Sequence, residues 1–252
     1  DDKRRIEFFL LTINPPCRLR SRRDDFFNRV HWFEINEPHT SMTIEASMRV
    51  NTSSQYDSGR PDGCTFEDLR QGMDESLPLL LTDSRYISQH PDIWRKALDV
   101  RDTRQDVFQT AEAIMHSIFT EWTYTPAITT SSTHLREAWA GQQGVCQDFA
   151  HAMIGMCRAL KIPARYVSGY LFNGPLSHLR GAQASHAWCE VHIPGRGWYG
   201  LDPTNNTLTD ERYVKIATGR DYDDAAPVRG TFHGPPGAAG GIEVTVEVED
   251  LS

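Results

Sequence analysis

Residues 144–163 decide the fold of this chain, and their sequence is GVCQDFAHAMIGMCRALKIP. Apolar side chains recur in this stretch at helical spacing, at Phe149, Met153, Ile154, Cys157 and Leu160. We predict a helix that begins at or just after Cys146 and ends before Pro163, because proline cannot continue a helix. This helix places the Cys146 thiol beside unpaired backbone N–H groups, where the helix dipole favours a thiolate.

Antiparallel strands are predicted after this helix. Residues 165–172 and 186–193 have strand character, and residues 198–202 return after the turn sequence PGRG at 194–197. The chain shows neither repeats nor a glycine-rich phosphate loop. A helix followed by antiparallel strands therefore indicates the α+β class.

Two more helices are predicted upstream. Apolar residues between positions 107 and 122 fall on one helical stripe, and Thr103 with Asp106 can cap its start. That stripe is most simply a core face. A second helical segment spans residues 132–140 and is closed by Gly141.

The first third of the chain has the pattern of β-structure. Between residues 42 and 50 apolar and polar side chains alternate, which predicts a strand with one buried face. Residues 6–13 and 31–37 are further strand candidates, and the polar stretch 51–63 is predicted to be a loop. We predict a small all-β N-terminal domain over residues 1–80, sandwich-like or barrel-like, followed by a catalytic core over residues 81–252.

Composition excludes several functional classes. The 252 residues are 39% hydrophobic and 24% charged, with a net charge of -8, so a basic surface for nucleic acid or anionic membrane is not expected. The cationic stretch 18–23 is followed at once by Asp24 and Asp25 and is interpreted as a solvated face. No apolar run approaches the roughly 18 residues of a spanning helix, so no membrane span is expected.

The cysteines favour a reduced state. There are five, an odd number, with irregular spacing and no Cys-x-x-Cys pair, so a disulfide framework is not predicted. Reduced thiols favour a cytoplasmic location. The sequence begins without a methionine, which leaves a removed signal peptide and secretion open.

Three residues form a candidate catalytic set. Cys146 is a candidate nucleophile, although a lone cysteine is more often a small buried hydrophobe. A thiolate needs a proton-shuttling base, and an imidazole needs a carboxylate or amide to orient it. His186 and Asp202 lie on two strands joined by a hairpin turn and suit these roles. A one-residue slip in register would place one of them on the opposite face, so the pairing depends on the register.

Four motifs carry a resemblance to a known family. They are GVCQDFAH at 144–151, IPARYVSGY at 162–170, SHAWCEV at 185–191 and GWYGLDPT at 197–204. In this order they resemble the transglutaminase-like core of bacterial and archaeal proteins, whose catalytic triad is cysteine, histidine and aspartate. The resemblance assigns Cys146, His186 and Asp202 to that triad. It extends to residues 219–222 and a terminal strand at 243–248, and the first third resembles the β-rich N-terminal region of the same family.

The resemblance implies papain-like thiol chemistry. A thiolate attacks an amide, a thioester forms, and the acyl group passes to an amine or to water, which gives transamidation, deamidation or proteolysis. Bacterial relatives are often described as cysteine proteases. The expected partner is a protein or peptide amide donor, with an amine as a further acceptor. No cofactor is expected, and calcium dependence is not expected. The rival interpretation is a catalytically silent binding module that keeps the fold.

Several neighbouring residues leave alternatives open. The backbone N–H of Cys146 is a natural first oxyanion donor, and the second is Gln143, Gln147 or Trp139. Cys189 and His192 have the spacing of zinc ligands, but residues three apart on a strand point to opposite faces, so a zinc site is not favoured. Cys157 and Cys189 are interpreted as core residues. Trp188 and Trp198 either line the cleft or pack in the core.

Overall fold

The structure is a computed structural model that describes residues 5–73, 77–174, 179–180, 185–235 and 240–251. Its strands are β1 (Arg5–Asn14), β2 (Arg20–Arg23), β3 (Arg29–Trp32), β4 (Thr43–Asn51), β5 (Thr123–Tyr124), β6 (Gln143–Gly144), β7 (Ala164–Leu171), β8 (Ser185–Ile193), β9 (Gly197–Asp202), β10 (Thr207–Leu208) and β11 (Tyr213–Gly219). Its α-helices are α1 (Phe66–Gln71), α2 (Pro91–Val100), α3 (Val107–Glu121), α4 (Leu135–Gly141), α5 (Cys146–Ala159) and α6 (Tyr222–Ala225). Short 3₁₀ helices span Gln55–Ser58 and Leu77–Leu81.

The α+β class is confirmed. The central element is an antiparallel sheet with the strand order β10-β9-β8-β7-β11. The helix α5 begins at Cys146, as predicted, and β7, β8 and β9 lie within a residue of their predicted positions. The turn at 194–197 joins β8 and β9 as a hairpin, with Ile193 paired to Gly197.

The helix α5 lies at the centre of the main core. It is buried on almost every side, which is typical of a helix enclosed by other elements. Ala187, Cys189 and Val191 of β8 belong to the same core cluster, so the sheet packs on α5 through this face. Arg158 of α5 is fully buried and donates hydrogen bonds to backbone carbonyls, including that of Arg220 at 2.6 Å. Such bonds offset the desolvation of a buried cation.

The helix α3 confirms its predicted start. Asp106 accepts a hydrogen bond from the Gln109 N–H at 2.8 Å, and the Gln109 side chain accepts one from the Asp106 N–H at 3.3 Å. This reciprocal pair is a capping box. The helix α2 was not predicted from the sequence, although Pro91 at its first position is a common start signal.

The N-terminal strands form two separate pairs, β1 with β4 and β2 with β3. The predicted β-rich N-terminal region is confirmed as two small sheets, and the rings of Phe9 in β1 and His31 in β3 stack with centroids 5.4 Å apart. The face expected to be buried over residues 42–50 is only partly covered: Ile44, Met48 and Val50 are half-buried, and Met42 and Ala46 are exposed. Alternation indicates which face of a strand is apolar but not whether a second layer covers it. The boundary near residue 80 stays a prediction.

One asparagine fastens the β2–β3 hairpin to the central sheet. The Asn28 amide donates to the Thr218 carbonyl at 2.7 Å and accepts from the Thr218 N–H at 2.8 Å. Thr218 lies in the edge strand β11. The Asn28 side chain thus hydrogen-bonds to the edge strand β11 in the way that the backbone of a neighbouring strand would.

The predicted terminal strand at 243–248 is wrong. Residues 240–251 pair with no strand in the described part of the chain, and Ile242 and Val244 are 86% and 68% exposed. The alternation in this segment fits a strand, but pairing also requires a free edge in reach. Across the described ranges, no helix has the length and apolar character needed to cross a membrane.

Candidate active site

Chain direction brings the three candidate residues to one end of the sheet. Cys146 is the first residue of α5, and β7 runs back from the far end of that helix. The strand β8 is antiparallel to β7, so it begins near the start of α5 with His186 as its second residue. Asp202 is the last residue of β9, which is antiparallel to β8 and ends at the same place.

The register of the hairpin places His186 and Asp202 on one face. Cys189 of β8 is directly opposite Leu201 of β9, and both side chains face the main core. His186 lies three residues before Cys189, and Asp202 lies one residue after Leu201. Both offsets are odd, so both side chains point to the other face of the sheet. The observed register is therefore the one that the predicted pairing of His186 with Asp202 requires.

His186 and Asp202 form a buried pair. The His186 Nε2 and Asp202 Oδ2 atoms lie 2.8 Å apart, and the two residues are 1% and 0% exposed. The predicted contact between these two side chains is confirmed. With Nε2 directed to the carboxylate, the Nδ1 atom is the nitrogen available to a nucleophile.

The carboxylate of Asp202 is held by four groups. Oδ2 accepts hydrogen bonds from His186, from the Asn205 amide at 2.7 Å and from the Tyr213 hydroxyl at 2.8 Å. Oδ1 accepts from the Thr204 N–H at 2.9 Å. Burial raises the pKa of Asp202, but the charge of His186 and these side-chain hydrogen bonds outweigh it and hold the pKa below its ordinary value. Asp202 is therefore a carboxylate at neutral pH.

The pKa of His186 is shifted upward. Burial lowers it, but the charge of Asp202, the hydrogen bond to Asp202 and the proximity of Cys146 outweigh burial and raise the pKa to about 10. The Nδ1 atom makes no hydrogen bond of good geometry among the described residues, although interaction with Cys146 contributes to the raised pKa of His186. Catalytic hydrogen bonds often tighten only when substrate binds. An imidazolium beside a thiol favours the thiolate.

The turn before α5 is shaped to present Cys146. Asp148, the third residue of α5, accepts a hydrogen bond from the Val145 N–H at 2.8 Å and one from the Thr129 hydroxyl at 2.6 Å. A Cβ on Gly144 would lie 2.3 Å from Asp148 Oδ2, so only glycine allows this close approach. Cys146 itself is half-buried and is not in a disulfide.

Comparison with known proteins places this chain in a family. The description "Transglutaminase-like superfamily" matches residues 95–203, and "Bacterial transglutaminase-like N-terminal region" matches residues 1–51. An uncharacterized protein of Mycobacterium tuberculosis (strain H37Rv) is 33% identical over 238 residues, which cover 88% of this chain and 75% of that protein. The chain belongs to the transglutaminase-like superfamily.

Two further similarities concern proteins with a described activity. The solved structure of a proposed cysteine protease from Cytophaga hutchinsonii has a TM-score of 0.73 and 27% identity, and the match covers 90% of this chain and 74% of that one. A protein-glutamine gamma-glutamyltransferase of Pseudomonas aeruginosa is 40% identical over 67 residues, which are 25% of this chain and 10% of that protein. The second similarity is confined to a short part of a much longer protein.

Three residues of this transglutaminase-like site were not found from the sequence. Tyr213 and Asn205 bind Asp202, and Tyr124 lies on β5, which pairs with β6 so that Tyr124 is opposite Gly144. Burial raises the pKa of Tyr124, and the charges of Cys146 and Asp202 raise it further. The spacing of Asn205 from Asp202 was a weak signal; Tyr213 and Tyr124 have none in the sequence.

The candidate oxyanion donors have different surroundings. The Gln147 amide donates to the Ser131 carbonyl at 3.2 Å, and Trp139 packs edge-on against Trp122. Gln143 lies in the short strand β6 opposite Thr123, the residue before Tyr124. The second donor stays a prediction, and Tyr124 joins the candidates because its hydroxyl can donate.

Cys157, Cys189 and His192 are packing residues in this superfamily member. Cys157 and Cys189 are fully buried, as predicted, and burial raises the pKa of Cys189. Trp188 is buried beside Tyr213, with ring centroids 5.3 Å apart, and His192 packs on Trp198. Within the described ranges, no group of three or more His, Cys, Asp or Glu side chains converges on a metal position.

Proposed function

We propose that this protein catalyses acyl transfer at amide bonds through a thioester on Cys146, with His186 as acid and base and Asp202 as the carboxylate that orients it. One observation carries this proposal. His186 is buried, with Nε2 on Asp202 and with Cys146 at the first position of α5 as the neighbour of its ring. That arrangement supplies the nucleophile, the base and the orienting group that acyl transfer requires.

The reaction follows from these roles. The Cys146 thiolate attacks the carbonyl carbon of an amide, and the C–N bond breaks as the His186 imidazolium gives its proton to the leaving amine. The acyl group remains on Sγ as a thioester. An amine or a water molecule then attacks the thioester and gives its proton to His186, and the thiolate is released. We expect the Cys146 N–H at the helix start to donate to the oxyanion in both steps.

The acceptor decides which product forms. With an amine the product is a new amide, and with water it is an acid, from either a side-chain amide or a peptide bond. Similarity to a protein-glutamine gamma-glutamyltransferase supports glutamine as donor, and similarity to a proposed cysteine protease supports a peptide bond. Both share the first half-reaction, which is the step proposed for Cys146, His186 and Asp202.

A thiol-reactivity experiment tests the proposal. The folded protein is treated with iodoacetamide at neutral pH, and the modified cysteines are identified by peptide mass spectrometry. Cys17 is the internal reference because it is also partly exposed but lies outside any helix or strand. We expect Cys146 to react at least about tenfold faster than Cys17, and His186→Ala to remove this advantage.

Activity is then measured with amide donors. Glutamine-containing peptides are supplied with and without a primary amine, and ammonia release and peptide cleavage are followed. We expect turnover that Cys146→Ala abolishes. A Cys146 that reacts no faster than Cys17, together with no turnover of any donor, would support the catalytically silent binding module instead.

A further inference from the structure

A segment bearing Arg180 is fastened to the candidate catalytic carboxylate. The Asn205 amide donates to Asp202 Oδ2 at 2.7 Å and to the Arg180 carbonyl at 3.2 Å. The Arg180 N–H in turn donates to Asn205 Oδ1 at 2.8 Å. The Asn205 side chain thus links the triad carboxylate to both the carbonyl and the N–H of Arg180. The position of Arg180 beside the site is therefore fixed by the site itself.

A second anchor lies on α3. The Arg180 guanidinium carbon lies 5.3 Å from the ring centroid of Phe119, a cation–π distance. One turn earlier in the helix, His116 Nδ1 lies 3.3 Å from the Asn206 amide nitrogen. The two contacts hold the Arg180 backbone segment and the turn at 205–206 against the same stretch of α3.

The charge of Arg180 is available to a ligand. Arg180 is exposed, and it forms no ion pair among the described residues. Burial and the charges of Cys146 and Asp202 raise the pKa of Tyr124, and the charge of Arg180 opposes them. Tyr124 lies opposite Gly144, two residues before Cys146. The Asp202 carboxylate is fully buried and already holds four hydrogen bonds.

We propose that Arg180 makes this site selective for acyl donors that carry a carboxylate beside the reactive amide. The inference rests on the proposed acyl transfer at Cys146 and adds its substrate class. An exposed arginine held beside the candidate catalytic residues attracts an anion and gives it a bidentate partner. The carboxylate comes from an acidic side chain next to the reactive residue or from a free peptide C-terminus.

A pair of alkylating probes tests this proposal without knowledge of the substrate. Iodoacetate is an anion and iodoacetamide is its neutral isostere, and both alkylate the Cys146 thiolate. The ratio of their rates at Cys146 reports the local attraction for a carboxylate. We expect Arg180→Gln to lower this ratio about threefold to tenfold at low salt, and Arg180→Lys to restore most of it. High salt should reduce the difference between the wild-type protein and the glutamine variant.

Arg196 provides a matched control. It is an exposed arginine in the β8–β9 turn, and the length of β8 separates it from His186 by about 25 Å. Arg196→Gln removes the same charge and should leave the rate ratio unchanged. An equal fall in both variants would indicate a general effect of net charge and would overturn the proposal.

Two peptide donors distinguish the sources of the carboxylate. One has a blocked C-terminus and a glutamate next to glutamine, and the other is neutral with a free C-terminus. We expect Arg180→Gln to raise the KM several-fold for at least one of them and to leave kcat nearly unchanged. The peptide affected identifies the source.

The outcomes separate the two proposals. If Cys146 has no elevated reactivity toward either probe, the acyl-transfer proposal fails. If Cys146 is reactive but Arg180→Gln changes neither the probe ratio nor the KM of either peptide, acyl transfer stands and the role of Arg180 is overturned.

Discussion

At the scale of single residues, the protonation of His186 connects structure with reactivity. Its buried ring would lose its proton easily without an anion, since burial disfavours the imidazolium. The charge of Asp202 and the hydrogen bond at 2.8 Å reverse this tendency. The imidazolium that the first half-reaction needs is therefore a property of the pair.

Replacing Asp202 by Asn should lower the pKa of His186. The largest contribution that raises this pKa is lost while burial remains, so we expect a fall of more than about one pH unit from the wild-type value of about 10. NMR titration of the His186 ring carbons measures it directly. Asp210→Asn, which removes a half-buried carboxylate paired with Arg212, should leave the titration unchanged.

The His186–Asp202 pair makes the free energy of unfolding depend on pH. The pKa of His186 is higher in the folded protein than its ordinary value of 6.5, so its ionisation stabilises the fold fully below pH 6.5. This contribution is lost as the pH rises through about 10. Denaturant unfolding between neutral pH and pH 10 should therefore show a steeper loss of stability in the wild-type protein than in Asp202→Asn. Parallel curves for the two proteins would contradict the assignment.

Removal of the Tyr213 hydroxyl should weaken the site without abolishing it. In Tyr213→Phe, Asp202 keeps three of its four hydrogen bonds, and the ring still packs on Trp188. A hydrogen bond to a charged group contributes about 1.5–3 kcal/mol, so we expect lower unfolding free energy and slower turnover with little change in KM. Tyr170→Phe, on β7, is the control. Full activity in Tyr213→Phe would show that this bond is not needed to hold Asp202.

At the scale of elements, the turn before α5 determines how Cys146 is presented. Gly144→Ala would place a methyl group 2.3 Å from Asp148 Oδ2. Asp148 would have to move and release the Val145 N–H, so we expect a loss of about 1–3 kcal/mol in unfolding free energy and a large fall in Cys146 alkylation rate. Thermal unfolding and peptide mapping measure the two effects.

Gly141→Ala is the matched control for this turn. A Cβ there would meet only the flexible Gln143 side chain, 3.3 Å away. We expect near wild-type stability and Cys146 reactivity. If both variants slow alkylation equally, the effect comes from the loop in general rather than from the contact with Asp148.

Sequence patterns predicted the core elements well and the peripheral ones poorly. The α5 stripe and the β8–β9 hairpin were predictable because each carries a complete local signal: apolar spacing with a proline stop, and turn residues between two strands. The N-terminal strands β1 and β4 were located correctly, but their pairing with each other was not predicted. Alternation is a property of one strand, whereas the number of layers depends on distant segments.

At the scale of the whole molecule, Asn28 joins the N-terminal region to the central sheet. Asn28→Ala removes two hydrogen bonds to Thr218, and Thr218 is only 6% exposed. The Thr218 N–H would lose its partner, so we expect a destabilisation of about 1–3 kcal/mol. Hydrogen exchange should show faster exchange in β2, β3 and β11 before any other strand.

Asn36 serves as the control for this prediction. It is exposed, lies outside any helix or strand, and makes no hydrogen bond among the described residues. Asn36→Ala should leave both stability and exchange unchanged. Unaltered exchange in β11 of Asn28→Ala would mean that the hairpin is held by other contacts.

The candidate site was predictable only in part, for a reason that belongs to the whole fold. Cys146, His186 and Asp202 lie in short motifs that can be recognised in the sequence. A hairpin between their strands predicts the pairing of His186 with Asp202. Tyr213 and Tyr124 reach the site from β11 and β5. Their contacts depend on how far the sheet curls and on a two-residue parallel pairing, and neither is encoded in a local pattern.

The bond from Tyr213 to Asp202 crosses β7 and β8. Three strand spacings, about 14 Å in a flat sheet, separate β11 from β9, and the long Tyr213 side chain bridges most of that distance to make its 2.8 Å bond. Thr218, near the opposite end of β11, holds the N-terminal hairpin through Asn28. The edge strands of a sheet lose their hydrogen bonds before the central strands do. On warming, loosening of β11 would release the carboxylate while the thiol still sits on an intact helix, so heat inactivation should precede melting of the core.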